Sequence, residues 1–302
     1  IIYMMLANNY TWANSFDFHG SLGEGSSKHK RYIPSVSNPI FNETPYITTE
    51  VRFIHQYTEI PGSWASTGGE INLYAAQFRI ALTDRLGFIA TKDGFANANF
   101  KNTLNDEDGF ANIAAGLKYA VYSNPEDNSI LTTGIRYEAP TGSLESSDIR
   151  LQGNKGGFFN IFITGSKALG NVGFQGSFGS NFALDGDHDT SMIHYSANIN
   201  YEIFPNLFPT FELNGFVTTD DGNRTIGDFA GADIINFGTT DSGHVSLTSM
   251  GARYLISDHI SIGGTYEFPI TNREDIIDWR TNFDLIFTYW FNPSLKNKLI
   301  KF

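Results

Sequence analysis

The chain has no cysteine among its 302 residues. That excludes disulfides, thiolate metal sites, covalent haem attachment and cysteine nucleophiles. Charge is also scarce, with Asp, Glu, Lys and Arg at 17%, against roughly 25% in ordinary soluble domains. No apolar run reaches the roughly 18 residues that a membrane-crossing helix needs, and the mean hydropathy is -0.21. A helical membrane protein is therefore excluded. A membrane β-barrel is not, because its strands need only every second residue to be apolar. Basic stretches are lacking as well: the formal net charge is -12, and no segment could neutralise a run of phosphates, so nucleic acid is not an expected partner. The basic cluster SSKHKR, 26–31, reads as a solvated turn.

Aromatics and glycine are abundant. Phe, Tyr and Trp reach 15%, with 26 Phe, 14 Tyr and 30 Gly. Much aromatic side chain, much glycine and no cysteine suit a β-protein of a bacterial envelope.

The order of the residues sharpens this. In WRTNFDLIFTYWF, 279–291, Trp279, Thr281, Phe283, Leu285, Phe287, Tyr289 and Phe291 share one alternate set, almost all apolar, while Arg280, Asn282, Asp284, Ile286, Thr288 and Trp290 share the other, mostly polar. Alternation of period two is a strand with one greasy and one wet face. Twelve such segments follow one another with almost no helical signal: 46–58, 70–82, 85–92, 110–122, 130–139, 157–168, 171–182, 190–203, 207–217, 243–255, 259–268 and 279–291. Most exceed the five or six residues typical of soluble sheets and match the roughly 9 to 11 that a tilted membrane strand requires. Their connections alternate between short (TDR, SNPEDNS, LGN, FPNL, SD) and long (59–69, 93–109, 140–156, 183–189, 218–242, 269–278). This predicts an all-β, transmembrane, antiparallel up-and-down barrel of about twelve strands in a bacterial outer membrane, with short periplasmic turns and long extracellular loops.

The parity of each strand assigns its faces. The apolar sets, such as Val51, Phe53 and Tyr57 or Phe159, Ile161 and Ile163, turn to lipid. The opposite sets place Glu50, Arg52, Arg79, Lys118, Arg136, Glu138, Glu212, Glu267, Arg280 and Asp284 in the lumen, as pore lining or as a salt-bridge network. Acids and bases are balanced there, so a strong single-sign field is not expected. Closure sets the first strand beside the last, which makes Arg52 and Asp284 plausible partners. Arg253 joins this set with uncertain parity, because 243–255 alternates poorly.

The expected organisation is an N-terminal segment, 1–44, either dangling in the periplasm or plugging the lumen, then the barrel, 45–291, then a periplasmic tail, 292–302. Residues 1–13 read either as a signal-peptide remnant or as part of the working chain. The last strand carries the aromatic pattern that such barrels present to the barrel assembly machinery. Outer-membrane lipids and lipopolysaccharide are the expected surroundings, with protein partners conceivable on the periplasmic side.

Two constellations bear on catalysis and metal binding. IHYSANIN, 193–200, has a His-x-Ser pair, His194 and Ser196, that resembles the outer-membrane phospholipase A family. That family's pair faces the bilayer, whereas parity turns this one inward, and its Gln-Ser-Asn-Gly run is missing. DGDHD, 185–189, offers Asp185, Asp187 and Asp189 as weak calcium candidates, without the downstream glutamate of an EF-hand loop. A solvated acidic loop is the plainer reading. No enzyme activity, metal or cofactor is expected.

The stretch EINLYAAQFRIALTDRLGFIATKDGF, 70–95, followed by FANIAAGLKYAVY, 110–122, resembles uncharacterised outer-membrane barrels grouped with the transporters of the phenol meta-cleavage pathway, in which a strand, an LTDRL-type turn and a returning strand are coupled. The resemblance runs over about 44–291. It implies passive passage of small solutes, hydrophobic or aromatic ones among them, and specifies no substrate. A structural barrel of an envelope assembly and a lipid hydrolase stay open beside it.

Overall fold

The computed structural model describes residues 23–64, 66–153, 156–223, 231–238 and 243–289. The tail, 292–302, the signal-remnant question at 1–13, and Phe291 lie outside them. Sixteen strands are found: β1 (Thr49–Ile60), β2 (Gly69–Ala81), β3 (Leu86–Lys92), β4 (Phe95–Phe100), β5 (Glu107–Phe110), β6 (Ile113–Asn124), β7 (Ser129–Ala139), β8 (Glu145–Ser146), β9 (Ile149–Arg150), β10 (Phe158–Leu169), β11 (Val172–Ala183), β12 (Ser191–Tyr201), β13 (Leu207–Asp220), β14 (His244–Ser257), β15 (Ile260–Pro269) and β16 (Trp279–Tyr289).

Twelve of them close an antiparallel barrel. Each pairs with its neighbours in sequence, and β1 pairs with both β2 and β16 to leave no edge, as a sheet that crosses lipid must. β4 and β5 continue the wall upward: β3 holds the lower part of β2, through Phe78 to Ala81, and β4 holds the upper part, through Gly69 to Tyr74. The predicted loop 93–109 is therefore largely a strand pair. The break between its halves falls at Asp93 and Gly94, where Asp93 Oδ1 accepts the Ala76 amide at 3.2 Å. The alternation of Ala96, Ala98 and Phe100 with Asn97 and Asn99 is that of a strand, though one too short to stand among the twelve.

The two faces differ as the alternation predicts. Phe53, Phe78, Ile161, Phe178, Phe211, Ile262 and Phe283 stand exposed on the exterior. A belt of that kind, continuous around a closed barrel, is a lipid-contacting surface. Near the extracellular rim, Tyr57, Trp279 and Tyr266 stack at 5.2 and 5.6 Å between ring centroids, as an interfacial aromatic girdle does. Inside, the side chains are polar and buried, and they are covered by other parts of the chain.

Two pieces cover them. Above the barrel, Phe100 at the end of β4 and Trp64, Leu144, Leu151, Ile234, Phe237, Ile276 and Ile277 from separate loops meet in one apolar cluster. Below it, the N-terminal segment is tied to the periplasmic turns, with the Gly23 amide on Ala81 O at 3.0 Å and the Ser26 amide on Ile47 O at 2.7 Å. Gly25 sits at φ +55°, and a Cβ there would lie 2.2 Å from Ile47 O, so glycine is required for this close approach.

Candidate functional site

From Tyr32 the segment climbs into the lumen, turns at Asn38, and returns to the start of β1. The turn is closed by the Asn42 amide on Asn38 O at 2.9 Å, with Asn38 at φ 48°, a conformation asparagine tolerates better than most residues. At its tip Phe41 joins the apolar cluster over the mouth. The stretch forms no strand or helix, yet buried amides and carbonyls need partners. The barrel wall supplies them through side chains. Arg253 Nε donates to Pro34 O at 2.9 Å, Arg52 Nη2 to Ser35 O at 2.9 Å, Gln77 Nε2 to Pro39 O at 2.8 Å, and Ser177 Oγ to Phe41 O at 3.0 Å. Thr164 Oγ1 donates to Glu43 O at 2.7 Å and Thr132 Oγ1 to Pro45 O at 2.5 Å. Two sides of the lumen are thus bridged by one extended strip of chain.

All ten sequence-predicted lumen residues are buried inside the barrel, and they divide between contacts to the segment and contacts within the wall and mouth. Arg79 and Lys118 converge on Glu43 of the segment, at 2.7 Å from Arg79 Nη2 and 2.8 Å from Lys118 Nζ; Glu50 takes the other Arg79 nitrogen at 3.2 Å. Glu212 accepts the Val36 amide at 2.9 Å and the Ser37 amide at 2.8 Å, and also the Ser37 hydroxyl. Arg136 donates to Ile40 O at 2.5 Å, with its guanidinium between the rings of Phe41 and Phe162. These four, with Glu50 and with Arg52 through Ser35 O, hold the segment.

The remaining residues brace the wall and the mouth. Asp284 accepts from Arg52 at 2.5 Å and from both terminal nitrogens of Arg253 at 2.8 and 2.7 Å. This also settles the parity of Arg253, which points inward. Arg280 bridges Glu267 at 2.5 Å to Asp233 of the mouth cluster at 2.6 Å, and Glu138 takes Lys92 at 2.5 Å and Asn112 at 2.8 Å. Sequence reasoning missed Glu43, the acid through which Arg79 and Lys118 hold the segment, because it lies in a stretch with no periodicity.

At the periplasmic foot, His29 is buried against Tyr46, with ring centroids 5.2 Å apart, and its Nε2 meets Ser123 Oγ at 3.0 Å. Burial depresses its pKa below the ordinary 6.5, opposed in part by the side chain of Asn128 and the charge of Asp127.

The His-x-Ser pair does not come together as a catalytic unit. His194 Nε2 contacts Asn160 Nδ2 at 2.7 Å and its ring lies on Phe41 at 4.5 Å, while Ser196 Oγ accepts from Asn38 at 3.4 Å. Nor do Asp185, Asp187 and Asp189 form a ligand set. Asp185 binds His188 Nδ1 at 2.9 Å and Asp189 is buried, and no cluster of three acids or histidines able to hold a metal occurs among the described residues.

No protein-family model matches the sequence, and no curated protein does. Among solved structures, an outer membrane channel of Pseudomonas putida F1 superposes with a TM-score of 0.56 at 15% identity, over 86% of this chain and 100% of that one. By fold, this is a twelve-stranded antiparallel β-barrel of the outer-membrane kind. The NanC porin has a TM-score of 0.49 at 8% identity, over 80% of this chain and 99% of its own. The transport unit of the autotransporter AIDA-I from Escherichia coli has a TM-score of 0.47 at 12% identity, over 81% and 90%.

Proposed function

We propose that the protein is an outer-membrane channel for small solutes that is closed, in the state described, by its own N-terminal segment. One observation carries this reading. The segment that fills the lumen makes no strand pairing and is held mainly by side-chain hydrogen bonds and ion pairs, with apolar packing by Phe41 at its tip and by Tyr32, Tyr46 and Ile47 at its foot. Such contacts exchange with water when the segment withdraws, because the polar wall is then hydrated and not left bare. The wall carries balanced charge, which suits passage of neutral molecules better than selection of one ion. The apolar mouth, with Trp64, Phe100, Ile276 and Ile277, favours hydrophobic or aromatic solutes, as does the sequence resemblance to phenol-pathway barrels. His194 and Ser196 serve as docking groups, and no hydrolysis is assigned to them.

A permanently filled scaffold barrel is the competing reading, favoured by the wall-to-wall network around Asp284 and Arg280. Liposome swelling separates the two. A chain lacking residues 23–44 should admit small neutral solutes several-fold faster than the full chain. Equal exclusion by both, with the barrel folded, would favour the scaffold.

A further inference from the structure

On the outside of the barrel, near its extracellular rim, three polar side chains meet in a triangle. Ser246 Oγ lies 2.8 Å from His244 Nε2, Tyr195 OH lies 2.7 Å from the same nitrogen, and Tyr195 OH lies 2.7 Å from Ser246 Oγ. The register explains how two non-adjacent strands share them. Tyr195 of β12 faces Gly215 of β13, and Gly215 faces Ser246 of β14. The tyrosine ring lies flat across the glycine, where a Cβ would come within 2.1 Å of Tyr195 Cζ. Ser246 is further fixed by its amide on Thr271 Oγ1 at 3.1 Å. His244 is exposed and Ser246 is 4% exposed beneath the tyrosine.

A serine hydroxyl at hydrogen-bond distance from an imidazole nitrogen is the basic unit of an activated nucleophile. A third group that can donate a hydrogen bond beside the serine oxygen is what a developing oxyanion needs. In the inward pair Ser196 accepts from Asn38, and His194 Nε2 is turned to Asn160, so the serine lacks its imidazole. The outward pair has the same His-x-Ser spacing and both features, and it lies at the very start of β14, at the loop end of the strand.

We propose that Ser246, His244 and Tyr195 form an acyl-ester cleaving site facing the outer leaflet, with a lipid ester as substrate. Ser246 Oγ attacks the ester carbonyl as its proton passes to His244 Nε2. Tyr195 OH donates to the carbonyl oxygen as it gains negative charge. The bond to the alcohol oxygen breaks, that oxygen takes the proton from His244, and the acyl group stays on Ser246. Water then gives a proton to His244, attacks the acyl carbon, and releases the fatty acid as the proton returns to Ser246. No oxidant, metal or cofactor enters the balance. The site is separate from the lumen, so it stands or falls independently of conduction.

The test uses the full chain folded into vesicles of phosphatidylethanolamine and phosphatidylglycerol. A long-chain alkyl fluorophosphonate should label Ser246, located by peptide mass spectrometry, and the vesicles should release fatty acid. Ser246→Ala should lose both signals, and His244→Asn should lose about 100-fold or more of the release. Tyr195→Phe keeps the ring that packs over Gly215; it should retain labelling while release falls by about 100-fold. Folding of each variant is read from its heat-modifiable migration. A folded wild-type barrel that is neither labelled nor active overturns the proposal, as does Tyr195→Phe releasing fatty acid at the wild-type rate.

Discussion

Arg79 of β2 grips Glu43 of the N-terminal segment with two parallel hydrogen bonds, Nε to Oε1 at 2.8 Å and Nη2 to Oε2 at 2.7 Å. A bidentate pair of this kind fixes direction as well as distance, and Lys118 reinforces it from the same wall while also donating to Thr44 O and Tyr46 O. Glu43 is therefore the main electrostatic anchor of the segment.

Removing that charge should loosen the segment without harming the barrel. Breaking a buried pair on one side costs about 3–5 kcal/mol, but here the cost falls on the docked state only, because water reaches Arg79 and Lys118 once the segment leaves. Glu43→Gln should raise the open fraction by about 100-fold, since about 1.4 kcal/mol corresponds to a factor of ten. Single-channel recording should show frequent openings, with an unfolding midpoint near that of the wild type.

The opposite split is expected at Asp284. Arg52 and Arg253 both depend on it, and all three belong to the wall. Asp284→Asn leaves two buried guanidinium groups short of a counter-charge and should destabilise the barrel by about 3–5 kcal/mol. The midpoint of heat-modifiable unfolding should fall for this variant and stay unchanged for Glu43→Gln.

His29 gives the periplasmic end a pH dependence. Its pKa is lowered from 6.5 by burial in the docked segment, so the released state binds a proton more readily than the docked one. Docking is fully supported above the ordinary value and weakens as pH falls below about 6.5, toward the depressed pKa. Open probability should rise on acidification of the periplasmic side. His29→Phe should flatten the part of that response lying below about pH 6.5, while the charged groups that face the ring, Asp127 foremost, remain in place.

The barrel was legible in the sequence because period two reports a strand that separates lipid from lumen, as Phe283, Leu285 and Phe287 do against Asn282 and Asp284. It fails where that separation fails. In β14, Val245 and Leu247 turn inward because the mouth cluster lies behind them, while Ser246 and Thr248 turn outward, and the expected polarity is reversed. Residues 33–47 carry no period because their backbone partners are wall side chains. Trp64 and Ile276 gave no signal because their core is assembled from separate loops. Lumen residues could be picked by parity, but not sorted into those that hold the segment and those that brace the wall.

The central claim is that withdrawal of the segment opens the channel, and a reversible tether tests it most directly. Ser37 Oγ of the segment and Ser249 Oγ of β14 are 3.1 Å apart, and the chain has no cysteine to interfere. In a Ser37→Cys, Ser249→Cys double variant, a disulfide of about 2.05 Å would fasten the segment in the lumen. Planar-bilayer conductance should be abolished by oxidation and return to the wild-type level on reduction. Equal conductance in the oxidised and reduced states, with the disulfide shown to be formed, would contradict it.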